Sequence, residues 1–439
     1  MVSVLALDVG SSSVRAQVFD ERGEPVDELR QEAYGGDDPD EIIRLVREAI
    51  GGREADLVAT SCFGHSLVAL DARGRPLTPV LGWRDTRSAG AAERLRARVD
   101  PAAVHARTGE FVHPAFWPAK LLWLAETEPE VFAGAARFVS FSDCLFAALI
   151  EAEPAASPSI ASGTGLYDLG ARRWDEELLE AVGVGEERLP ALSDSPVGSW
   201  YPAILDGVCA NLGAGCTGGR AALTIGTSSA LRVLRAAERP EPRPGLFTYR
   251  VDERRLVDGG ALSDGGNLLA WLDRMVGPSD GSPAGRGPGD HGLTFLPFLA
   301  GERSTGWHPE ATGAIAGVSL ATTPLDLRQA AMEGVAFRLA AIADLLPEIE
   351  QVVATGGALV HDRDWAQIVA DALARPLTIS GVPEASLRGA AVAALERAGY
   401  EPVDAPLGDT IAPRESLAEA YRSAREHQES LYEVLIAHD

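Results

Sequence analysis

Lysine is all but missing from this chain. Of 39 basic residues only Lys120 is lysine, and the others are arginine. Lys120 follows Trp117, Pro118 and Ala119, which excludes a phosphate loop of the Gly-x-x-x-x-Gly-Lys-[Ser/Thr] kind. Any phosphate bound here must be held by another device. Cysteine is scarce too. Cys62, Cys144, Cys209 and Cys216 lack metal-site spacing, and Cys209 and Cys216 read as small buried residues. No run of eighteen apolar residues is present, so no transmembrane helix and no membrane partner are expected. The opening residues carry neither a basic n-region nor a small-residue cleavage site, so no signal peptide is expected and the cytoplasm is the expected location. Positive charge is short overall. With 39 basic against 64 acidic residues the formal net charge is −25, which argues against a nucleic-acid partner.

What is present suits a soluble two-domain protein: 439 residues, 46% hydrophobic and 23% charged. Leu5–Asp8 and Val14–Phe19 read as two strands joined by a turn of Gly10, Ser11, Ser12 and Ser13. A third short strand is expected near Pro25. Asp38–Ile50 has the apolar spacing of a helix, and helices are expected around Ala91–Val99, Pro118–Ala125 and Ser142–Ile150. The opening then recurs. "AALTIGTSSALRVL" from Ala221 lies over "LALDVGSSSVRAQV", and Gly226 stands 216 positions after Gly10 (226 − 10), about half the chain. A helix over Gly266–Met275, a long one from Pro324 and three more near Trp365–Leu373, Leu387–Ala398 and Ser416–Ile436 complete the second half. The pattern predicts two similar α/β domains, 1–217 and 218–439, facing a cleft.

A tight turn of Gly and hydroxyl residues presents backbone N–H groups to one side, and such a nest binds phosphate oxygens without lysine. Two nests, one per domain, can hold a polyphosphate from both sides. Asp8, at the strand end, would then hold Mg²⁺ through water.

The sequence resembles the FGGY carbohydrate kinases over nearly its whole length. "LALDVGSSSVRA" is similar to that family's opening phosphate loop. "PAKLLWLAE" resembles its first signature and "GAIAGVSLATTPLDLRQAAMEG" its second. "VATGGALVHDRDWAQIVADAL" is similar to its adenosine-binding segment. The resemblance implies two actin-like (ribonuclease H-like) ATPase domains flanking a cleft, with ATP and Mg²⁺ as cofactors and a small-molecule sugar or sugar acid as partner. A homodimer is compatible with it, although the sequence does not fix oligomeric state.

"AILDGVCANLGAGC" resembles the segment that carries the catalytic base, which picks Asp206. His65 and Ser66 lie in a stretch similar to the family's sugar-binding turn. Trp83, Arg84, Asp85 and Arg87 lie in "LGWRDTR", similar to another sugar-side segment. Arg303, in "LAGERSTGW", resembles a loop near the cleft. The nucleotide contacts implied are Gly10, Ser11, Ser12, Ser13 and Arg15 from the first loop. Gly226 and Thr227 follow from the second, with Gly266 for close approach and Gly356 and Gly357 beside adenine. His361 stands near the place where relatives often carry asparagine. Lys120 is a packing anchor or a catalytic group, with the first preferred.

"FGHSLVALDARGRPLTPVLGWRDTRS" and "HPAFWPAKLLWL" look most like the gluconate-kinase branch, although Gly64 stands where that branch often has Trp. A sugar acid needs a cation for its carboxylate, for which His65, His113, Arg84 and Arg87 are candidates. A kinase for a ketopentose or another polyol is the alternative. A non-catalytic sugar or ATP sensor on the same fold is the alternative of another class.

Overall fold

The computed structural model describes residues 2–151, 153, 155–347 and 349–437. Its framework is two mixed sheets. The first contains β1 (Ser3–Val9), β2 (Ser13–Asp20), β3 (Arg30–Ala33), β4 (Leu57–Cys62) and β5 (Ile204–Leu205), in the order β5-β4-β1-β2-β3. The second contains β6 (Arg220–Ile225), β7 (Ser229–Ala236), β8 (Phe247–Arg250), β9 (Arg255–Leu262), β10 (Gln351–Thr355), β11 (Leu377–Ser380) and β12 (Leu407–Ile411), in the order β8-β9-β7-β6-β10-β11-β12.

The same plan underlies both. In each sheet an antiparallel meander (β1-β2-β3; β6-β7-β9) is continued on the far side of its first strand by two parallel strands (β4, β5; β10, β11). The repeat seen in the sequence is therefore a repeat of topology. Its loops differ by one residue: Val9 pairs with Val14 across the first turn, whereas Ile225 pairs with Ser229 across the second.

Strand β1 is apolar on both faces, as a strand covered on both sides must be; Val4, Leu5, Ala6, Leu7 and Val9 are all buried. The expected strand at Pro25 is a single bridge to Phe19, and the true third strand lies at Arg30–Ala33. Proline has no N–H to extend a ladder. Helix ends follow local rules. Asp38 caps Pro39–Ile50 and Gly51 closes it at φ 55°, while Thr323 and Asp326 form a capping box on Pro324–Leu345. Among the described residues no helix is long and apolar enough to cross a membrane.

The two halves are interlocked. The helix Ala385–Arg397 comes from the second half, yet Leu387, Ala390 and Ala391 belong to the first sheet's core with Leu5, Leu7 and Leu212. It crosses the helix Asp206–Gly213 backbone against backbone. A Cβ on Gly213 would lie 2.7 Å from the Gly389 nitrogen, and one on Gly389 would overlap the carbonyl of Cys209. Elsewhere Thr248 of β8 donates its N–H to the Gly109 carbonyl at 3.0 Å, and His105 Nε2 donates to the Leu246 carbonyl at 2.8 Å.

Because neither backbone at the crossing can retreat cheaply, we expect Gly389→Ala to lower stability by about 3 kcal/mol. Chemical denaturation checks this, and an unchanged midpoint would mean the crossing is loose.

Candidate active site

The carboxyl ends of the parallel strands meet in the cleft, where ligands of open α/β sheets bind. Asp8 lies near the end of β1 beside Ser61 of β4, and Ser61 is in register with Ile204 of β5. Asp206 follows β5 directly as the first residue of its helix. Asp206-Gly207 is therefore a helix N-terminus, and the Gly207 N–H donates to Asp206 Oδ1 at 2.7 Å.

Both Gly/hydroxyl turns border one cavity of about 250 Å³. Ser11 lines it from the first loop and Gly226, Thr227 and Ser228 from the second, together with Gly64, His65, Trp83, Arg84, Asp206, Arg232, Tyr249 and Arg303. In the first turn Gly10 N–H donates to Ser13 O at 3.0 Å, and the Tyr34 hydroxyl donates to Gly10 O. In the second turn Gly226 N–H donates to Ser228 O at 2.9 Å. Ser11, Ser12 and Thr227 are exposed at the tips, while Ser13 is buried at the start of β2.

Burial dominates the electrostatics. It pushes the Asp8 carboxyl up to about 6, against Arg15 at 3.4 Å and a 2.6 Å hydrogen bond from Ser61; the nearby Asp206 adds to the rise. Asp206 is likewise raised by burial, opposed first by Arg232, then by the Gly207 N–H and Arg303. Half-buried Asp206 in the cavity wall and buried Asp8 behind it, close to the exposed hydroxyl residues of both loops, suit a divalent cation carrying polyphosphate. Asp8 and Asp206 are its candidate holders, through water.

Several expected contacts stand elsewhere. Arg15 gives its guanidinium to Asp8 and to Glu384 at 2.5 Å, so it clasps the first hairpin to the helix Ala385–Arg397. Ser66 is buried and turned away, its Oγ accepting from the Phe141 N–H at 3.0 Å. Asp85 and Arg87 pair with each other, and Arg87 lies 4.7 Å over Trp123. They border a neighbouring groove of about 620 Å³ that shares only Ser11, Phe63, Trp83 and Arg84 with the cleft cavity. Burial opposes ionisation of Asp85, but Arg87 overcomes it and holds the carboxyl below its usual range. Gly266 serves the protein rather than a ligand: its N–H donates to Gly226 O at 2.8 Å, where a Cβ would clash with that same oxygen. Gly356 (φ 86°) and Gly357 abut the second loop from β10, outside the cavity, and a Cβ on Gly356 would lie 2.8 Å from Ile225 O. His361 ends the short helix that they begin.

His65 and His113 are not cations. Burial first, then Arg303, pushes His65 down to about 3 and His113 well below its ordinary value. His65 Nδ1 donates to the Gly163 carbonyl at 2.6 Å, which leaves Nε2 as an acceptor facing the Tyr249 hydroxyl at 3.4 Å. His65 has φ 62°, a strained value for a ring-bearing residue. Lys120 braces that turn: its Nζ donates to the carbonyls of His65 (2.6 Å) and Ala115 (2.7 Å) in a fully buried position. A guanidinium has no room to converge on two carbonyls this way. Lys120 is therefore an anchor, as preferred from the sequence.

Arg232 and Tyr249 are among the cavity residues that escaped the sequence reading. Arg232 is one of two arginines in the otherwise apolar strand "SALRVLRA" just after the second loop, a signal available in principle. Tyr249, in "FTYR", gave none.

Residues 3–213 match the N-terminal domain of the FGGY family of carbohydrate kinases, and residues 221–397 match its C-terminal domain. The chain belongs to the FGGY family. It is 27% identical to the gluconokinase of Bacillus licheniformis over 483 aligned positions, covering 95% of this chain and 93% of that one. It is 31% identical to the glycerol kinase of Thermus brockianus over 443 positions, covering 89% of each. The gluconate kinase structure from Lactobacillus acidophilus superposes with a TM-score of 0.89 at 23% identity, over 99% of this chain and 98% of that one. The actin-like two-domain fold implied by the sequence is thus the fold of this FGGY kinase.

Burial pulls Lys120 from its ordinary 10.5 down to about 7, with Asp85 opposing. Between those values the unfolded chain holds a proton that the native state does not, so stability rises with pH across the window and is flat below it. We expect the stability of the wild type relative to Lys120→Met to grow by ~4 kcal/mol from pH 7 to pH 10. Urea unfolding across that range measures it, and a flat difference would mean that the ammonium stays charged.

Proposed function

We propose that the protein transfers the γ-phosphoryl group of ATP to a hydroxyl of a sugar acid, gluconate or a close analogue. The observation that carries this reading is the placement of Asp206: at a helix N-terminus, on the wall of a cavity that both Gly/hydroxyl loops border. Residues 1–217 would supply the first loop, Asp206 and the sugar contacts His65 and Trp83, and residues 218–439 the nucleotide side, with Arg232, Tyr249 and Arg303 reaching across to the sugar.

In this reading the loop N–H groups and the hydroxyls of Ser11, Ser12 and Thr227 cradle the phosphates. Gly356 and Gly357 flank adenine. Asp8 and Asp206 would hold Mg²⁺ through water, and the ion would neutralise charge on the β- and γ-phosphates. Asp206 accepts the proton of the attacking sugar hydroxyl. Its burial raises its basicity, against the pull of Arg232. His65 Nε2 and the Tyr249 hydroxyl present an acceptor and a donor to sugar hydroxyls, and Trp83 is a flat wall. Closure of the lobes excludes water, which would otherwise compete as acceptor.

Charge supports an acidic sugar. With the histidines neutral, one carboxylate, Asp206, shares the cavity wall with the half-buried Arg232 and Arg303 and the exposed Arg84. A neutral polyol would leave guanidinium charge uncompensated. The gluconokinase relative points the same way.

ADP release across gluconate, xylulose and glycerol tests the reading, with gluconate expected to be turned over best. Asp206→Asn should lower kcat on it about 10³-fold while nucleotide binding persists. Activity within tenfold of wild type would remove Asp206 as the base. Nucleotide binding without ADP release on any substrate would indicate a sensor.

A further inference from the structure

Four charged side chains border the cleft cavity, and three have identifiable tasks. Asp206 is the proposed base. Arg232 leans over it: Asp206 is the first charge that favours its ionised form, and a Cβ on Gly207 would fall 2.8 Å from Arg232 Nε. Arg84 is exposed, stacked 4.9 Å from Trp83 and bonded to Ser11 Oγ at 3.2 Å. Arg303 has no such task. Its guanidinium sits between the rings of Trp83 (5.3 Å) and Trp307 (6.0 Å). Among the described residues it makes no ion pair and no side-chain hydrogen bond, and its Nε is buried without a partner.

Arg303 also feels a different set of neighbours from Arg232. Tyr249 and Glu110 act on it ahead of Asp206, the reverse of what Arg232 feels. We infer that Arg303 is the specificity-determining residue of this site, the group whose planar fork receives the carboxylate of an acyclic sugar acid. This rests on the phosphoryl-transfer reading above. A guanidinium clamped between two indoles is oriented before substrate arrives, and its free N–H edge matches a carboxylate in two parallel hydrogen bonds.

Glu110 explains how the charge stays available. It is fully buried beside Arg303, and both its carboxyl oxygens lack a partner. An ionised Glu110 would neutralise Arg303. Burial instead pushes its carboxyl well above the ordinary range, against the pull of Arg303. Glu110 is a positioning residue behind the clamp, and Arg303 keeps its charge for a ligand.

The test compares gluconate with glucitol, the same carbon chain with a neutral CH₂OH in place of the carboxylate. The readouts are kcat/KM for each and ADP affinity as a check on the folded cleft. Wild type should prefer gluconate by about 100-fold. Arg303→Gln should lower gluconate kcat/KM about 100-fold, mainly through KM, while glucitol stays within threefold and ADP affinity within twofold. Arg303→Lys should recover part of the preference, having charge without the fork. Equal losses on both substrates with ADP binding intact, or an unchanged gluconate preference, would overturn the inference while leaving the kinase reading standing. If Arg303→Gln loses ADP binding, the Lys variant decides: a preference reduced about tenfold supports the clamp, and an unaltered one overturns it. A wild type that phosphorylates glucitol as well as gluconate, or neither, fails the functional reading itself and the inference with it.

Discussion

Where the helices Asp206–Gly213 and Ala385–Arg397 cross, no side chain separates them. Gly213 and Gly389 bring the two backbones into contact, and both lobes take their bearings from that point. One helix begins with Asp206. The other begins one residue after Glu384, which binds Arg15, which binds Asp8. A single glycine contact thereby sets Asp206, Asp8 and the first hairpin relative to β11 and β12 of the second sheet, which flank the second helix in the chain. Close packing transmits small shifts, so a fraction of an ångström at the crossing would be felt at the reacting atoms.

Around that scaffold the site is built from charges taken out of water. Asp8, Asp206, Arg232, Arg303 and Lys120 are all displaced from their ordinary titration ranges, chiefly by burial. Lys120 spends its protons on two carbonyls, which holds His65 in a left-handed conformation. His65 spends its Nδ1 proton on Gly163, which leaves Nε2 free to accept. These commitments fix the donors and acceptors that His65 and Tyr249 bring to the cavity.

Legibility in the sequence followed the range of the interaction. The two nests were readable because each needs Gly and hydroxyl residues at adjacent positions, and their repetition at half-chain spacing survives as a shared strand order. Asp206 was found only through resemblance, since no local pattern in "DGVCANLG" marks a carboxylate aimed into a cleft. Gly213 at the end of its helix lets the second helix approach closely. Ser66, Asp85 and Arg87 were assigned because their whole stretches resemble sugar-side segments of the family, but neighbouring side chains in extended or turning backbone point to different sides, and these three make their bonds within the protein. Gly266 was assigned to a ligand when its partner is the carbonyl of Gly226. Arg232 and Tyr249 reach the cavity from strands of the second sheet, a long-range arrangement that local patterns do not report.

The central claim is that two hairpin loops, one from each lobe, grip the same polyphosphate. Amide hydrogen exchange with and without a non-hydrolysable ATP analogue and Mg²⁺ tests it directly. The account predicts that residues 10–13 and 226–229 gain protection together, at one ligand concentration dependence. Protection confined to one loop, or to neither while the nucleotide is bound, would contradict it.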